Sequence, residues 1–448
     1  MPIPVEHVHR HLYHFTHIDN LPGLLRTGFL ANNHPAFPAH RRSIAAATIQ
    51  ARRAAMVVPC GPGGRVHDYV PLYFGSLSPM LLMVLLSKNV DQRDIVYFEF
   101  PISLLLRPSV VFTDAGANTD LPPGFYTDPV QLGQLDWGAI DARTWSERDP
   151  NRKNRRMAEA LVHTALPLTD AVRIIGFDAN ARHRIGVMVA EAGLNQPPIT
   201  LEDRYQRQHY IRAFDNSGIS AVFGPNEIAE RFEAACASVE AARGAARPAP
   251  PYARPEDLLA ALRANFGCVP QTAELVGLAS DNGMHKHTVD IHTCEVVDKL
   301  LQLPGFRALS GEHQTLVELA AYLHDIGKGP KARWAFNNGV QRVDTNHPVG
   351  AMPMMVDILT RQVGWISPQA VRRLMKLVCY HDLVGDILGR NRDEQQLIDI
   401  LDDETDLDML IAIGQADASA LQEAWNITFT LQSAGLRQRC AAAIRAKV

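Results

Sequence analysis

Arg247-Pro-Ala-Pro-Pro-Tyr-Ala-Arg-Pro255 divides the chain. Its prolines lack the backbone N–H that a helix interior or a central strand needs, so neither element runs through it. Just upstream, Ala234–Ala246 is rich in alanine and reads as helix. Further back, short β-branched and aromatic runs alternate with helical segments: Pro71–Phe74, Ile95–Phe100, Val110–Thr113, Val172–Phe177 and Ile219–Phe223. Downstream the pattern is almost purely helical, with Leu316, Leu319, Ala320 and Leu323 in an i, i+3, i+4, i+7 stripe. The predicted architecture is an α+β domain over residues 1–240, an Ala/Pro-rich linker over 241–255 and an all-α helical bundle over 256–448.

Composition narrows the function classes. The 448 residues are 46% hydrophobic and 21% charged, with a formal charge of −4, which fits a globular chain and excludes collagen, a coiled coil or wholesale disorder. A near-zero charge also excludes a uniformly basic nucleic-acid coat. Arginine suits phosphate and carboxylate forks, but a GC-rich genome also explains why Arg far outnumbers Lys here. The 6 cysteines contain no CxxC pair, a reduced intracellular pattern without a disulfide frame or zinc knuckle. Tyr69–Ser87 carries no charge, but its unbroken apolar run, Met80–Leu86, is far too short for a bilayer. It reads as a strand, a turn and a helix, and a cytoplasmic protein with no membrane contact is expected.

In the second half the informative residues are His292, His324-Asp325, His347, His381-Asp382 and Asp417. Imidazole with carboxylate suits divalent Mn, Fe, Co or Zn, and the absence of thiolate argues against a structural zinc. Adjacent His and Asp on a helix project about 100° apart, so both reach one ion or each ligates a different one. Singly, each histidine is adequately explained as a core or half-exposed imidazole. An apolar helix running straight into His324-Asp325-Ile-Gly-Lys328 is harder to explain that way, because a buried unpaired Asp is costly.

These residues, with Met284-His-Lys-His-Thr-Val-Asp-Ile-His292, Asn346-His347-Pro-Val-Gly350 and Ala416-Asp417, resemble the HD superfamily of metal-dependent phosphohydrolases over Asp281–Trp425. Within it, the uridylyl-removing domain of the PII uridylyltransferase is the nearest resemblance. The resemblance implies ligands at His292, His324, Asp325 and Asp417 for a divalent metal (Mn, Fe, Co, Zn or Mg). His347 and His381 extend the set toward a second ion, and Lys328 lies near a substrate phosphate.

Three clusters stand out in the first half. Leu12-Tyr-His14-Phe-Thr16-His-Ile-Asp-Asn20-Leu-Pro-Gly23 sets ring and hydroxyl groups before a helix with exposed backbone N–H groups, an edge that can hold an amide or a phosphate-bearing cofactor. Arg52-Arg53 precedes a Gly-rich stretch without the Lys-Ser/Thr of a phosphate loop or a G-x-G-x-x-G, so P-loop and dinucleotide-fold readings are poor. Arg152-Lys-Asn-Arg155-Arg156-Met-Ala-Glu159 leads one carboxylate into an apolar run. Each cluster alone has an ordinary explanation: an amphipathic helix, a solvated arginine face, a surface ion pair.

Together they resemble the DarT family of DNA ADP-ribosyltransferase toxins. The matching residues are Tyr13-His14-Phe15-Thr16 with Asn20-Leu21, the Arg52/Arg53 helix, His67-Asp-Tyr69-Val-Pro-Leu-Tyr73-Phe74, Pro79-Met-Leu81, Phe112–Asn118 and Ala158–Val162. The chain departs at Leu77, where the family often has Arg before Ser78-x-Met80-Leu81. The resemblance implies an α+β ADP-ribosyltransferase fold, NAD as donor and His14, Phe15, Thr16, Gly23, Arg52 and Tyr73 around the cofactor. It further implies Glu159 with Arg53 (or Arg52) at the catalytic centre. Single-stranded DNA is the implied acceptor and a macrodomain-type antitoxin the implied partner, in a toxin or anti-phage role. The alternative is an HD phosphohydrolase as the working enzyme, with the first domain binding nucleotide or nucleic acid.

Overall fold

The computed structural model describes residues 2–447 except 46, 119–121, 144–148, 194–196, 202–208, 212–221, 244–248, 282, 284–286 and 365. Two compact units divide between Val222 and Phe223.

In the first unit, ten strands follow in chain order: β1 His11–His17, β2 Phe29–Leu30, β3 Tyr69–Tyr73, β4 Ile95–Pro101, β5 Val110–Thr113, β6 Phe125–Tyr126, β7 Glu159–His163, β8 Ala165–Leu166, β9 Arg173–Gly176 and β10 Ile199–Leu201. Eight form one sheet in the order β10-β9-β4-β1-β3-β7-β5-β6, with β2 and β8 paired separately. All pairs in it are antiparallel except β10 with β9. β4 is buried along nearly its whole length, so both faces of the sheet centre are covered and its sequence is an apolar run instead of an alternation. Leu12, Leu72, Phe98 and Phe100 fill one face; Phe15, Leu81, Leu85, Ile95 and Tyr97 fill the other.

Three helices matter for the site: α1 Leu21–Thr27, α2 Ala47–Ala55 and α3 Pro79–Leu86. α3 begins where Ser78 caps the N–H of Met80 and Pro79 occupies the first turn, so the charge-free stretch is indeed strand, turn and helix. Among the described residues no helix is long and apolar enough to cross a membrane. Of the run predicted as a strand at Ile219–Phe223, residues 219–221 lie outside the described set, and Val222 and Phe223 are not in a strand.

Among its described residues the second unit is built of helices, with isolated β-bridges at Tyr252–Val363 and Ser280–Gln341. Helices Val289–Gln302, Gly311–Leu323, Pro368–Cys379 and Glu404–Leu421 pack on one another. The Pro225–Arg243 helix belongs to this unit, docking Phe232 and its neighbours against Met352–Asp357 and Pro368–Cys379. The division therefore falls ahead of the predicted 241–255 linker, of which residues 244–248 lie outside the described set. The proline run ends a helix without indicating which domain that helix packs against.

Candidate functional site

In the first unit the sheet register sets Glu159, at the start of β7, beside Tyr73 of β3, which in turn pairs with Tyr13 of β1. Glu159 is 1% exposed. Its Oε1 accepts from Arg53 Nη1 at 2.7 Å and from the Ala117 backbone N–H at 2.8 Å, and its Oε2 accepts from Arg53 Nη2 at 3.0 Å. Such a two-pronged guanidinium–carboxylate pair fixes orientation as well as charge. Its backbone N–H donates to the Thr113 hydroxyl, which donates to Ala115 O, so the carboxylate stands on a tied corner between β5 and β7.

Arg53 lines a cleft of about 780 Å³, with Glu159 held behind it; His14, Phe15, Asn20, Gly23, Asn32, Arg41, Gln50, His67, Tyr73 and Asn118 are among the other lining residues. Burial works against the Arg53 charge, but Glu159 outweighs it and raises the guanidinium further, so Arg53 is fixed as a cation. Burial, with Glu159 beside it, pushes the Tyr73 hydroxyl upward and keeps it protonated. His14 Nδ1 donates to Pro71 O at 2.9 Å, which leaves Nε2 as a buried acceptor with no partner among the described residues. Burial first, then the charge of Arg41, lowers its imidazole to about 4. Gly23 faces open space, since a Cβ there meets nothing within 4 Å.

Two predicted cleft residues are placed elsewhere. Thr16 is buried and does not line the cleft; its hydroxyl accepts from Asn20, which also clasps the backbone of Arg42 through both amide atoms. Thr16 thus acts through Asn20. Arg52 is exposed and absent from the lining, because one helical step turns it about 100° from Arg53. Arg42 and the Arg152–Arg156 run are cations of the kind that could track a strand's phosphates, but Arg156 is buried and donates to Ala142 O, Arg42 pairs with Asp19 at 2.9 Å, and Arg155 lies 3.6 Å from Asp136. Sequence reasoning missed the Ala117 N–H, an alanine's backbone group with no signature until the loop is folded.

The sequence profile of the family described as ssDNA thymidine ADP-ribosyltransferase, DarT, matches residues 13–207. A DNA ADP-ribosyl transferase of Thermus sp. (strain 2.9) is 38% identical over 161 residues, 35% of this chain and 76% of the relative. The chain belongs to the DarT family. A second DarT-family relative, the DNA ADP-ribosyl transferase of Thermus aquaticus, is 32% identical over 207 residues, covering 45% of this chain and 89% of its own. The solved structure of Thermus sp. 2.9 DarT in complex with ADP-ribosylated ssDNA is 31% identical and covers 47% of this chain and 99% of that one, with a TM-score of 0.42.

In the second unit the predicted histidines and aspartates also converge. His292 Nε2 lies 3.1 Å from Asp417 Oδ1, His324 Nε2 3.3 Å from Asp325 Oδ2, and His347 Nε2 3.1 Å from Asp325 Oδ1. His381 Nε2 is 3.2 Å from His347 Nε2 and 3.4 Å from Asp382 Oδ1. His324, His347 and His381 each hydrogen-bond through Nδ1 to a carbonyl three residues back, Ala321, Asp344 and Val378. A carbonyl only accepts, so each Nδ1 carries a hydrogen and each Nε2 faces inward, where a neutral ring presents its lone pair. That is the tautomer a metal takes, oriented as outer hydrogen bonds orient ligands. Two facing Nε2 lone pairs repel unless a cation, a proton or a metal ion, sits between them. The donor set therefore fits a divalent ion.

Burial would lower His324, but Asp325 and Asp417 outweigh it and raise the imidazole to about 9. Asp325 is held well below its usual range against its own burial, by His324 and by Lys328 at 2.6 Å. Lys328 is thus tied to Asp325, on the turn that follows it. That turn packs hard against the segment carrying His347: a Cβ on Gly327 would fall 1.9 Å from His347 O.

Proposed function

We propose that the first unit transfers ADP-ribose from NAD to a nucleobase of single-stranded DNA and releases nicotinamide. The observation that carries this reading is the buried, two-pronged Arg53–Glu159 pair, whose Arg53 lines the cleft. Breaking the glycosidic bond leaves positive charge at C1′ of the ribose. A carboxylate already fixed by three donors needs no reorganisation to meet that charge, so it acts on the transition state more than on bound NAD. Nicotinamide departs with the electron pair of the broken bond, and a ring nitrogen of the base supplies the pair for the new one. The base then sheds a proton, which Glu159 can take; Arg53, fixed as a cation, orients the carboxylate and does not act as a base. His14, Phe15, Gly23 and Tyr73 are the cleft groups assigned to NAD, with Thr16 holding Asn20. The relatives' names support DNA as acceptor, and the same family reading supports a toxin or anti-phage role with a macrodomain-type antitoxin. Mass spectrometry of single-stranded oligonucleotides of varied sequence, incubated with protein and NAD, tests this reading. ADP-ribose adducts that vanish in Glu159→Gln are the expected result, and no adduct on any sequence would sink it.

A second reading, carried by the convergent histidine–aspartate cluster, is that the helical unit is an HD-type, metal-dependent phosphohydrolase domain. His292, His324, Asp325 and Asp417 would hold a divalent ion (Mn, Fe, Co, Zn or Mg), with His347 and His381 on the side of a second. A metal bound there polarises a phosphoryl oxygen and acidifies water. Lys328 would offset the charge of Asp325 and meet an anionic substrate. Elemental analysis after loading with each metal, in wild type and Asp325→Ala, tests the binding; metal-free wild type would overturn it.

A further inference from the structure

Three polar side chains in the cleft, Asn32, Gln50 and His67, are used neither by the Arg53–Glu159 pair nor by the residues assigned to NAD. Asn32 Nδ2 donates to Gln50 Oε1 at 3.1 Å and lies 3.4 Å from His67 Nε2. Burial, then the charge of Arg53, lowers the His67 imidazole, so Nε2 is available to accept the second Asn32 hydrogen. One amide nitrogen is thereby saturated, and it ties three side chains from three separate segments into a single polar surface. What remains is a donor, the Gln50 Nε2 group, next to an acceptor, Asn32 Oδ1; neither has another partner among the described residues.

We infer that the Asn32–Gln50–His67 triad reads the hydrogen-bonding edge of a base in the acceptor strand. This rests on the DNA ADP-ribosyltransferase reading above. A side-by-side donor and acceptor matches the edge of a nucleobase, and amide side chains make such paired contacts. Gln50 precedes Arg53 by one turn of α2, where side chains three apart sit about 5–6 Å from each other. That distance sets the triad next to the reacting centre, where the acceptor arrives. It is too near for the adenine end of NAD, which lies a ribose and a pyrophosphate away from the bond that breaks. A phosphate-binding role is disfavoured, because the unused Asn32 oxygen would face the anion.

The test is the sequence profile of adducts formed on a pool of randomised single-stranded oligonucleotides with NAD, for wild type, Gln50→Glu and Asn32→Asp. Gln50→Glu turns the free donor into an acceptor, and should cut modification of the preferred sequence by about tenfold or more and alter base preference at one position. Asn32→Asp keeps the free acceptor but loses the donor that ties the triad, and should flatten the preference at that same position. An unchanged base profile in both variants, whatever happens to the overall rate, would overturn the assignment, because a residue serving only NAD binding or folding slows all sequences alike. If wild type itself forms no adduct, the DNA reading fails and this inference with it. Adducts with identical profiles in all three proteins remove this inference alone.

Discussion

Glu159 is met by three donors, two from Arg53 and one from the Ala117 backbone, whereas in the helical unit Nε2 of His347 faces Nε2 of His381 at 3.2 Å. The first constellation is closed: each charge has its counter-charge in the protein, and the fold alone holds it ready for a substrate. The second leaves one ring nitrogen facing another, because its outer hydrogen bonds turn the Nε2 atoms inward, although Lys328 and the neighbouring histidines contact Asp325. Burial is nearly equal in the two, so burial does not distinguish them. What distinguishes them is whether donors balance acceptors: the first site completes itself, and the second leaves facing ring nitrogens that a divalent ion would fit.

The largest effect should come from opening the closed site. Glu159→Gln keeps most of its shape while removing the charge, and transfer to DNA should fall about 10²–10³-fold or more, read as adduct per unit time. Glu159→Ala is the poorer probe, since it leaves Arg53 buried without its partner at a cost of about 3–5 kcal/mol. Arg53→Ala should match that loss of activity, whereas the exposed Arg52→Ala should stay within a few fold. Equal losses at both arginines would break the assignment of the pair.

The second site gives the next effect. Asp325→Ala removes the carboxylate whose two oxygens are shared between His324 and His347, and bound metal should fall to background by elemental analysis. His381→Ala should lower the stoichiometry without removing all of the ion. Full metal content in Asp325→Ala would show that Asp325 does not hold the ion.

Acidification should weaken the first unit through His14. Its imidazole is lowered from 6.5 to about 4, chiefly by burial. Between those values the unfolded chain binds a proton that folded His14 refuses, so the stabilisation present above pH 6.5 is lost as pH falls. The loss is about 1.4 kcal/mol per pH unit. His17 is shifted the same way. Hydrogen-exchange protection of the β1 amides should therefore drop between pH 6.5 and 4 in wild type, and less so in His14→Phe. A flat profile in wild type would contradict the neutral, Nδ1-protonated form.

The smallest effect concerns DNA contacts. Lys153, on the Pro150–Arg155 helix, has no side-chain partner among the described residues, unlike Arg156 and Arg42. Lys153→Ala should flatten the salt dependence of single-strand binding by about 0.7 in log–log slope, and Arg156→Lys should leave it unchanged. The reverse order would restore Arg156 to the phosphate track.

Much of this was legible in sequence where chemistry and periodicity coincide. Histidines at the ends of apolar helical stripes announced the convergent cluster, and one carboxylate leading into an apolar run announced Glu159. Choosing Arg53 over Arg52 was not, because adjacent residues on α2 differ only in which way they turn, and that depends on what the helix docks against. The role of Thr16 is not legible for a related reason: a hydroxyl that holds a neighbour, as this one holds Asn20, has the same sequence signature as one that holds a ligand. The helix before the proline run was counted with the wrong domain, since its apolar face fits either side and only packing decides. The amide edge of Asn32 and Gln50 has no signature, because residues 18 apart in sequence meet only after the cleft has formed.

Gly327 sets a dimension of the helical unit. A methyl group there would collide with His347 O and the Ala351 N–H, so main chain touches main chain where the turn after Asp325 meets the segment bearing His347. The gap between Asp325 and His347 is therefore gauged by peptide groups, which have no rotamers to relax. Surrounding side chains can be exchanged without altering the bite of the site, while one added carbon at this position would act as a wedge and prise it apart.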